Sequence, residues 1–436
     1  MNALHSNNEK ATVKKVVRQG LCTGCGTCAG ICPHEAIEMV VDSEKGIYLP
    51  TPDTERCFIK CRLCFDACPG YTVDFRQLNG KIFGKESEDI LLGNYRNCYI
   101  GHATDYDIRY NSASGGLVTA LLIYALEEGM IDGALVTRMK RDKPLEPEPF
   151  IARSREEIIE ASKSKYCPVP ANIALREILK TEGKYAVVGL PCHIHGVRKA
   201  ETLNKRLTER IVLHLGIFCG HTPTFLGTKF LLWRGDVKEE DVIKLSYRGE
   251  GWPGRVLLQS KDGKKIFYPY NYLWSRIFGR FFYPMRCTLC CDQSSELADI
   301  SFGDAWLPEL ANDNVGTSVV ISRTEVGEAL LQNTMLKKKV NLNETAAATI
   351  KRSQNHFSFK KSLKARSSFL RLFRHSLPVY NIELPQPKAA ITLLTPLFYF
   401  DLHFSSKRHL WALLSFYISL RSFTGKLLRH VRTIYA

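Results

Sequence analysis

Two groups of four cysteines near the start of the chain have the spacing that iron–sulfur chemistry requires. The first reads Cys22-x2-Cys25-x2-Cys28-x3-Cys32-Pro33, the run used in bacterial ferredoxins for 4Fe-4S clusters. Three thiolates on one tight loop must converge on three irons of a cuboid, and Gly24 and Gly26 let the backbone curl around it. The second, Cys57-x3-Cys61-x2-Cys64-x3-Cys68-Pro69, repeats the pattern with one extra residue between its first two cysteines. In two-cluster ferredoxins the fourth cysteine of each run serves the other cluster. The expected ligation is therefore crossed: Cys22, Cys25, Cys28 and Cys68 around one cluster, and Cys32, Cys61, Cys64 and Cys57 around the other. The extra residue makes Cys57 the ligand least secured by spacing, and each fourth cysteine with its proline is expected to start a helix. Zinc ribbons use two CxxC pairs set far apart, a different pattern.

The elements that carry these loops read as a small αβ module over residues 12–80, with a hairpin from Ala36–Val41 and Gly46–Pro50 around a turn at Asp42–Gly46. After Asn94 strand and helix signals alternate. Leu117–Leu126 has helical length, with Ser114 as an expected N-cap and Gly129 as a stop. Gly133–Thr137 reads as a strand, Asn172–Lys180 as a helix, and Lys184–Leu190 and Ile211–Phe218 as strands. The last two empty into Pro191-Cys192-His193-Ile194-His195 and Cys219-Gly220-His221, the kind of strand-end loop in which α/β proteins place ligands. Cys287-x2-Cys290-Cys291 follows. Cys192, Cys219, Cys287 and Cys290 would supply four ligands from three loops, with small buried core residues as the equal alternative. Cys98 and Cys167 lack partner spacing and read as structural. A Gly-Gly pair opening a helix lets a phosphate approach, although a plain cap and turn is the commoner meaning. No GxGxxG occurs, so an ordinary dinucleotide fingerprint is absent.

Composition narrows the class. The 436 residues are 45% hydrophobic and 24% charged, which excludes a disordered or fibrous chain. The net charge of +16 is uneven: residues 351–436 carry +13, and the rest is nearly neutral. A chain-wide nucleic-acid footprint is thereby excluded. The N-terminus lacks a signal-peptide core, and no apolar stretch reaches the ~18 residues of a membrane span. These features point to a soluble, cytoplasmic protein of a reducing compartment. In the tail, Leu410, Leu413, Leu414 and Tyr417 form an apolar helical stripe with basic flanks, interrupted by Arg421 and Gly425. That stripe suits an interfacial helix at a membrane, a docking helix for a partner, or packing on the protein's own core.

SASGGLVTALLIYALEEGMIDGALVT, SKYCPVP, GLPCHIHGVRK, FCGHTPT, GWPG and RCTLCCD…ADISFGDAW, in this order over about residues 95–310, resemble the coenzyme F-420 hydrogenase/dehydrogenase beta-subunit family. The resemblance implies an α+β protein: a ferredoxin-like domain (12–80), an α/β FAD-binding core (95–235) and a second part with a cluster-binding CxxC (236–350); the basic helical tail (351–436) falls outside its motifs. It implies FAD against Ser114, Gly115, Gly116, Lys165, Tyr166, Gly189 and Pro191. It also implies a third 4Fe-4S cluster on Cys192, Cys219, Cys287 and Cys290, with Cys291 able to replace Cys290. The chain departs from the family in having Leu190 and His193 around Cys192, and Gly220 after Cys219.

The implied activity is an iron–sulfur flavoprotein oxidoreductase. It would take electrons from a ferredoxin-like donor and pass them to a small-molecule acceptor, deazaflavin-type or other. A non-catalytic electron-transfer subunit of a larger complex is the alternative. His193 and His195 are candidate proton donors, or else residues that orient the cluster loop. Trp252 and Trp306 are candidates to stack on a planar ligand or to fill the core. A homo-oligomer remains open on sequence grounds.

Overall fold

The computed structural model describes residues 12–58, 61–354 and 357–420. One helical turn closes each cysteine-bearing loop: Thr27–Gly30 carries Cys28, and Leu63–Asp66 carries Cys64. Both turns precede the fourth cysteine, so the helices expected to begin at Cys32 and Cys68 do not form there. In the first loop the reason is local: Gly26, at φ +83°, swings the chain into the helix directly before Thr27, and the turn is spent around the third cysteine. Strands β1 (Ile37–Asp42) and β2 (Ile47–Pro52) pair antiparallel. The Asp42 carboxylate accepts from the Glu44 and Lys45 amides, which closes the turn. Strand β3 (Thr72–Val73) ends the module's second loop.

The body is built on an eight-stranded sheet. In chain order its strands are β4 (Asn97–Ala103), β5 (Gly133–Met139), β6 (Pro147–Ala152), β7 (Tyr185–Gly189) and β8 (Ile211–Ile217). A separate antiparallel sheet follows, of β9 (Val242–Ser246), β10 (Arg255–Ser260) and β11 (Lys265–Pro269). The main sheet resumes with β12 (Ile300–Asp304), β13 (Ser318–Ser322) and β14 (Val340–Glu344). Its spatial order is β14-β4-β13-β12-β8-β7-β5-β6, with β5, β7, β8 and β12 running parallel and antiparallel neighbours on both sides. The apolar runs of β7 and β8 suit strands covered on both faces. Alternate side chains go to opposite layers. Ala186 and Leu213 meet Leu121 and Leu122 of the helix Leu117–Glu127, while Val187 and Ile211 meet Val197 and Ala200 of the helix Pro191–Leu203.

Because β5, β7, β8 and β12 share a direction, their following loops emerge at one edge of the sheet. The cysteine module is fastened beside that edge. The Asn172 amide donates to Thr27 Oγ1 at 2.8 Å and to the His193 carbonyl at 2.9 Å. A Cβ at Gly196 would lie 2.1 Å from Thr27 Oγ1, so only glycine lets the Pro191–Leu203 helix come this close.

The C-terminal segment packs against the body through residue 420. Leu363, Leu370, Tyr399 and Leu402 share a core with Phe65 and Phe75 of the cysteine module. Strand β15 (Val379–Tyr380) pairs parallel with β3. The expected stripe of Leu410, Leu413, Leu414 and Tyr417 is divided: Leu414 is buried with Trp411 and Ile418 against Phe230, and Leu413 faces outward. Arg421 and Gly425 lie outside the described residues, as does the N-terminal MNALHSNNEK. No helix among the described residues is long and apolar enough to cross a membrane.

Candidate functional site

Three sets of four thiols gather at and beside the sheet edge. Cys22, Cys25, Cys28 and Cys68 line one cavity together with Val13 and Val16. Burial holds the Cys22 thiol above its usual range, and the adjacent Cys68 and Cys25 thiols add to the effect. Cys28 is raised the same way, by burial and then by Cys22, Cys25 and Cys68. In the second set, burial pushes Cys64 up to about 11; a backbone hydrogen bond opposes it, and Cys61, Cys57 and Cys32 reinforce it. Cys32 therefore lies with the second loop and Cys68 with the first. Backbone amides point at the sulfurs: Gly24 N–H donates to Cys22 Sγ and Ala36 N–H to Cys32 Sγ, both at 3.4 Å. Buried thiols that repel one another's charge ionise only against strong positive charge, which the irons of a cluster supply.

The third set joins the loops after β7 and β8 to the segment before β12. Burial raises Cys192 well above the usual thiol range, with Cys25, Cys219, Cys287 and Cys290 contributing in that order. Cys219 is raised by burial and then by Cys287 and Cys290. Cys291 turns away and is fully buried in an apolar cluster with Ile194, Leu289 and Leu297. The appearance of Cys25 among the neighbours of Cys192 sets this group beside the first one.

Arg286, directly before Cys287, ties the two groups together. Its Nε donates to the carbonyls of Leu21 and Gly70 at 3.1 Å, and Nη2 donates to Tyr380 Oη at 2.7 Å. Leu21 precedes Cys22 and Gly70 follows Cys68-Pro69, so one buried guanidinium grips both ends of the first cysteine site. Lys199 Nζ donates to the Cys68 and Thr72 carbonyls at 2.9 and 2.7 Å. His195 is buried and its Nε2 meets Asp292 Oδ2 at 2.8 Å, linking the Cys192 loop to the Cys290 loop. Burial opposes the charge of Asp292, yet its bond to His195 and the nearby Lys360 keep the carboxyl below its usual range. His193 has both ring nitrogens committed: Nδ1 accepts from Leu190 N–H at 3.2 Å and Nε2 donates to Val169 O at 3.0 Å. Burial lowers His193 to about 4, so the ring is neutral near pH 7.

Aromatic side chains cluster where β12 ends. Arg248 lies 4.2 Å above the Tyr270 ring, and its Nη1 donates to Asp304 Oδ2 at 2.7 Å and to Tyr166 Oη at 3.1 Å. Trp306 stacks on Tyr270 at 5.2 Å and tilts against Trp252 at 4.5 Å. Three buried donors here, Arg248 Nη2, Trp252 Nε1 and Trp274 Nε1, have no hydrogen-bond acceptor, an arrangement suited to a planar ligand carrying oxygen and nitrogen acceptors. Aromatic rings connect these side chains to the third thiol group: Tyr166 packs on Trp274 at 5.1 Å, Trp274 on His221 at 5.2 Å, and His221 stacks on Tyr283 at 3.4 Å.

The other expected flavin contacts fall unevenly. Tyr166 is in the aromatic group. Ser114, Gly115 and Gly116 sit at the sheet edge but are braced by the chain itself. Ser114 Oγ donates to Thr317 O, and Gly115 N–H donates to Ser318 Oγ. A Cβ on Gly115 would come within 2.7 Å of Gly101 O. Ser114 is not the N-cap: the residue before the helix is Gly116, at φ +74°. Lys165 turns back to donate to the carbonyls of Ala161 and Ser162 at 2.5 and 2.7 Å, while burial lowers its ammonium to about 7. Gly189 and Pro191 form the passage from β7 into the helix that carries His193. Sequence reasoning missed Asn172, Lys199, Arg248 and Arg286. Only Arg286, adjacent to Cys287, had a local signal.

The patterns of three known families match the chain: coenzyme F-420 hydrogenase/dehydrogenase beta subunit N-term over residues 98–176, its C terminus over 182–348, and a 4Fe-4S dicluster domain over 21–74. The chain belongs to the coenzyme F-420 hydrogenase/dehydrogenase beta-subunit family. Among relatives in the family, the coenzyme F-420 hydrogenase subunit beta of Methanosarcina barkeri is 31% identical over 254 residues, covering 56% of this chain and 80% of that one. The coenzyme F-420-dependent sulfite reductase of Methanocaldococcus jannaschii is 28% identical over 352 residues, covering 76% of this chain and 49% of the relative. A chain of the F-420-reducing NiFe hydrogenase complex of Methanosarcina barkeri superposes with a TM-score of 0.51 at 26% identity, over 65% of this chain and 96% of that chain. This family member is thus an iron–sulfur electron-transfer oxidoreductase of α+β fold. The segment after residue 348 lies outside the matched family regions.

Proposed function

We propose that this protein is a flavin-dependent oxidoreductase. It takes electrons from a ferredoxin-like donor at its N-terminal cysteine module and delivers them to a small organic acceptor, deazaflavin-type or other. The observation that carries the reading is the run of sites along one edge: the crossed ferredoxin thiols, then the Cys192, Cys219, Cys287 and Cys290 thiols, then the aromatic rings leading to Arg248. When bound, 4Fe-4S clusters pass single electrons and FAD exchanges them for the pair an organic acceptor takes.

The chain's own residues account for the rest. Arg248, fixed by Asp304, presents a permanent positive charge and a free N–H to an electron-rich ring system. Trp252, Tyr270 and Trp306 exclude water and offer faces for stacking. His193 and His195 hold the Cys192 loop, through Val169 and Asp292 respectively, and neither is assigned proton donation. Cys290 rather than Cys291 completes the third set. The subunit name of the Methanosarcina barkeri relative favours a second reading, in which the acceptor is a partner enzyme and the chain only conducts electrons.

Anaerobic purification followed by iron, flavin and visible-absorbance measurement tests the proposal. About twelve irons and one FAD per chain are expected, from three four-iron clusters. Arg248→Gln is expected to release the flavin and keep the iron. Zinc without flavin would overturn the reading. Reduced protein that reoxidises with a partner protein but with no deazaflavin or quinone-like acceptor would support the second one.

A further inference from the structure

The helix Ala389–Ser406 is apolar on both sides, and only one side is covered. Thr395, Tyr399 and Leu402 face the body. On the opposite side Leu393 is 80% exposed, Leu394 and Phe400 62% each, and Leu397 49%. No charged side chain occurs between Ala389 and Phe400. A helix hydrophobic all round is normally buried all round, so this outer face calls for a covering. The helical residues 411–420 repeat the arrangement: Trp411, Leu414 and Ile418 face inward, while Leu413, Phe416 and Leu420 are exposed.

The charges around this ridge indicate what covers it. Lys388 stands exposed at the start of the helix, and Lys407, Arg408 and His409 stand exposed in the turn after it. Among the described residues 384–420 there are three Lys/Arg (Lys388, Lys407, Arg408) and one acid, Asp401. That acid is buried and paired with Arg280, so it offers the surface no negative charge. A protein partner would ordinarily meet a mixture of signs and fixed hydrogen-bonding groups. A ridge of leucine and phenylalanine with exposed cations at both ends of its helix, and one exposed acid (Glu383) before it, is instead the pattern of an interfacial helix: apolar side chains sink into the acyl boundary while basic residues meet anionic headgroups. At 18 residues the helix is about 27 Å long. It would lie along a bilayer, since no described helix is long and apolar enough to cross one.

We propose that the outer face of the Ala389–Ser406 helix docks this protein on an anionic lipid bilayer. This goes beyond the redox reading and does not depend on it. The test is co-sedimentation of the full chain, purified with its iron, with vesicles of phosphatidylcholine alone and of phosphatidylcholine mixed with phosphatidylglycerol. Binding is expected only to the mixed vesicles, and it is expected to weaken as salt rises. The triple variant Leu393→Ser, Leu397→Ser, Phe400→Ser is expected to bind about 100-fold more weakly, three apolar insertions being lost. Lys388→Gln with Lys407→Gln is expected to weaken binding to the mixed vesicles and to lessen its salt dependence. The visible spectrum and far-UV circular dichroism should be those of the parent in each variant, since the replaced side chains are exposed. Three results would overturn the proposal: equal binding to neutral vesicles, binding unaffected by the triple variant, or no vesicle binding together with a dimer in solution that the triple variant dissociates. The last would assign the ridge to a second copy of the chain.

Discussion

Replacing Arg286 with methionine removes a cation that two cysteine sites share, and its consequences divide into two measurable parts. The first is stability. Methionine roughly preserves the stem but leaves the Leu21 and Gly70 carbonyls, both in buried residues, without their donor. At about 1–3 kcal/mol per orphaned buried acceptor, the expected cost is about 4 kcal/mol, within the range for breaking a buried charge network. The second part is electrostatic. Arg286 draws down the thiol pKa of Cys22 on one side and of Cys287 and Cys290 on the other, against the dominant effect of burial. A unit charge ~7 Å away at an effective dielectric of ~20 is worth about 2.4 kcal/mol. For a one-electron couple that is on the order of 100 mV. Arg286→Met should therefore lower by that order the potentials of the cluster on the first thiol set and of the one proposed for the third, read by redox titration with electron paramagnetic resonance. Arg286→Lys keeps the charge but loses the fork, so it should cost stability, read by denaturant titration, and leave the potentials nearly in place. Potentials in Arg286→Met within about 20 mV of the parent would refute the shared-cation argument.

Three further outcomes follow from described contacts. His214 is buried between Glu201 (Nε2 to Oε1, 2.7 Å) and Asp299 (Nδ1 to Oδ2, 2.9 Å), with Arg198 bonded to both acids. Burial and Arg198 disfavour its proton, but the two carboxylates raise its pKa above the usual value, while Glu201 and Asp299 are held below theirs. The histidine contribution is complete below about pH 6.5 and is lost as pH rises through the raised value; the acid contribution is complete above about 4.5 and is lost on acidification. Stability should thus plateau between these limits, and His214→Gln should cost about 3–5 kcal/mol there and flatten the alkaline fall, as measured by denaturant titration against pH. Cys290→Ser should lose about four irons per chain by iron analysis while Cys291→Ser loses none; the reverse would reassign the third set. Gly196→Val should separate the cysteine module from the body and expose the bond between Thr27 and Asn172, read as faster hydrogen exchange around Thr27.

The parts of this structure legible in the sequence are those set by neighbours along the chain. Cysteine spacing within a loop dictates which thiols can reach one cluster, and the apolar runs at 185–189 and 211–217 became the central strands they resembled. The helix expected at Cys32 failed because Gly26 spends the turn earlier, and the one expected at Cys68 gave way to the turn Leu63–Asp66 before it. Ser114 failed as a cap because its hydroxyl finds Thr317, 203 residues away. Arg286 reaches Leu21 across 265 residues, and the unpaired donors around Arg248 come from the β9–β10 loop (Arg248, Trp252) and from the separate helical turn Trp274–Phe278. Such contacts depend on topology, and no local pattern announces them. The tail misled in a related way: its apolar residues at 410–417 serve two opposite faces, whereas a single stripe was expected.

The pairing of β15 with β3 has a consequence for how the protein is made. Val379 meets Thr72, and Tyr380 hydrogen-bonds to Arg286 and to the Leu289 carbonyl. The N-terminal module emerges from the ribosome with its thiols in place but without this closing strand, which is synthesised about 300 residues later. At ~5–20 residues per second that leaves roughly 15–60 s in which β3 has no β15 beside it and Arg286 lacks its bond to Tyr380. The last native contacts of the N-terminal module therefore form only once nearly the whole chain has been made.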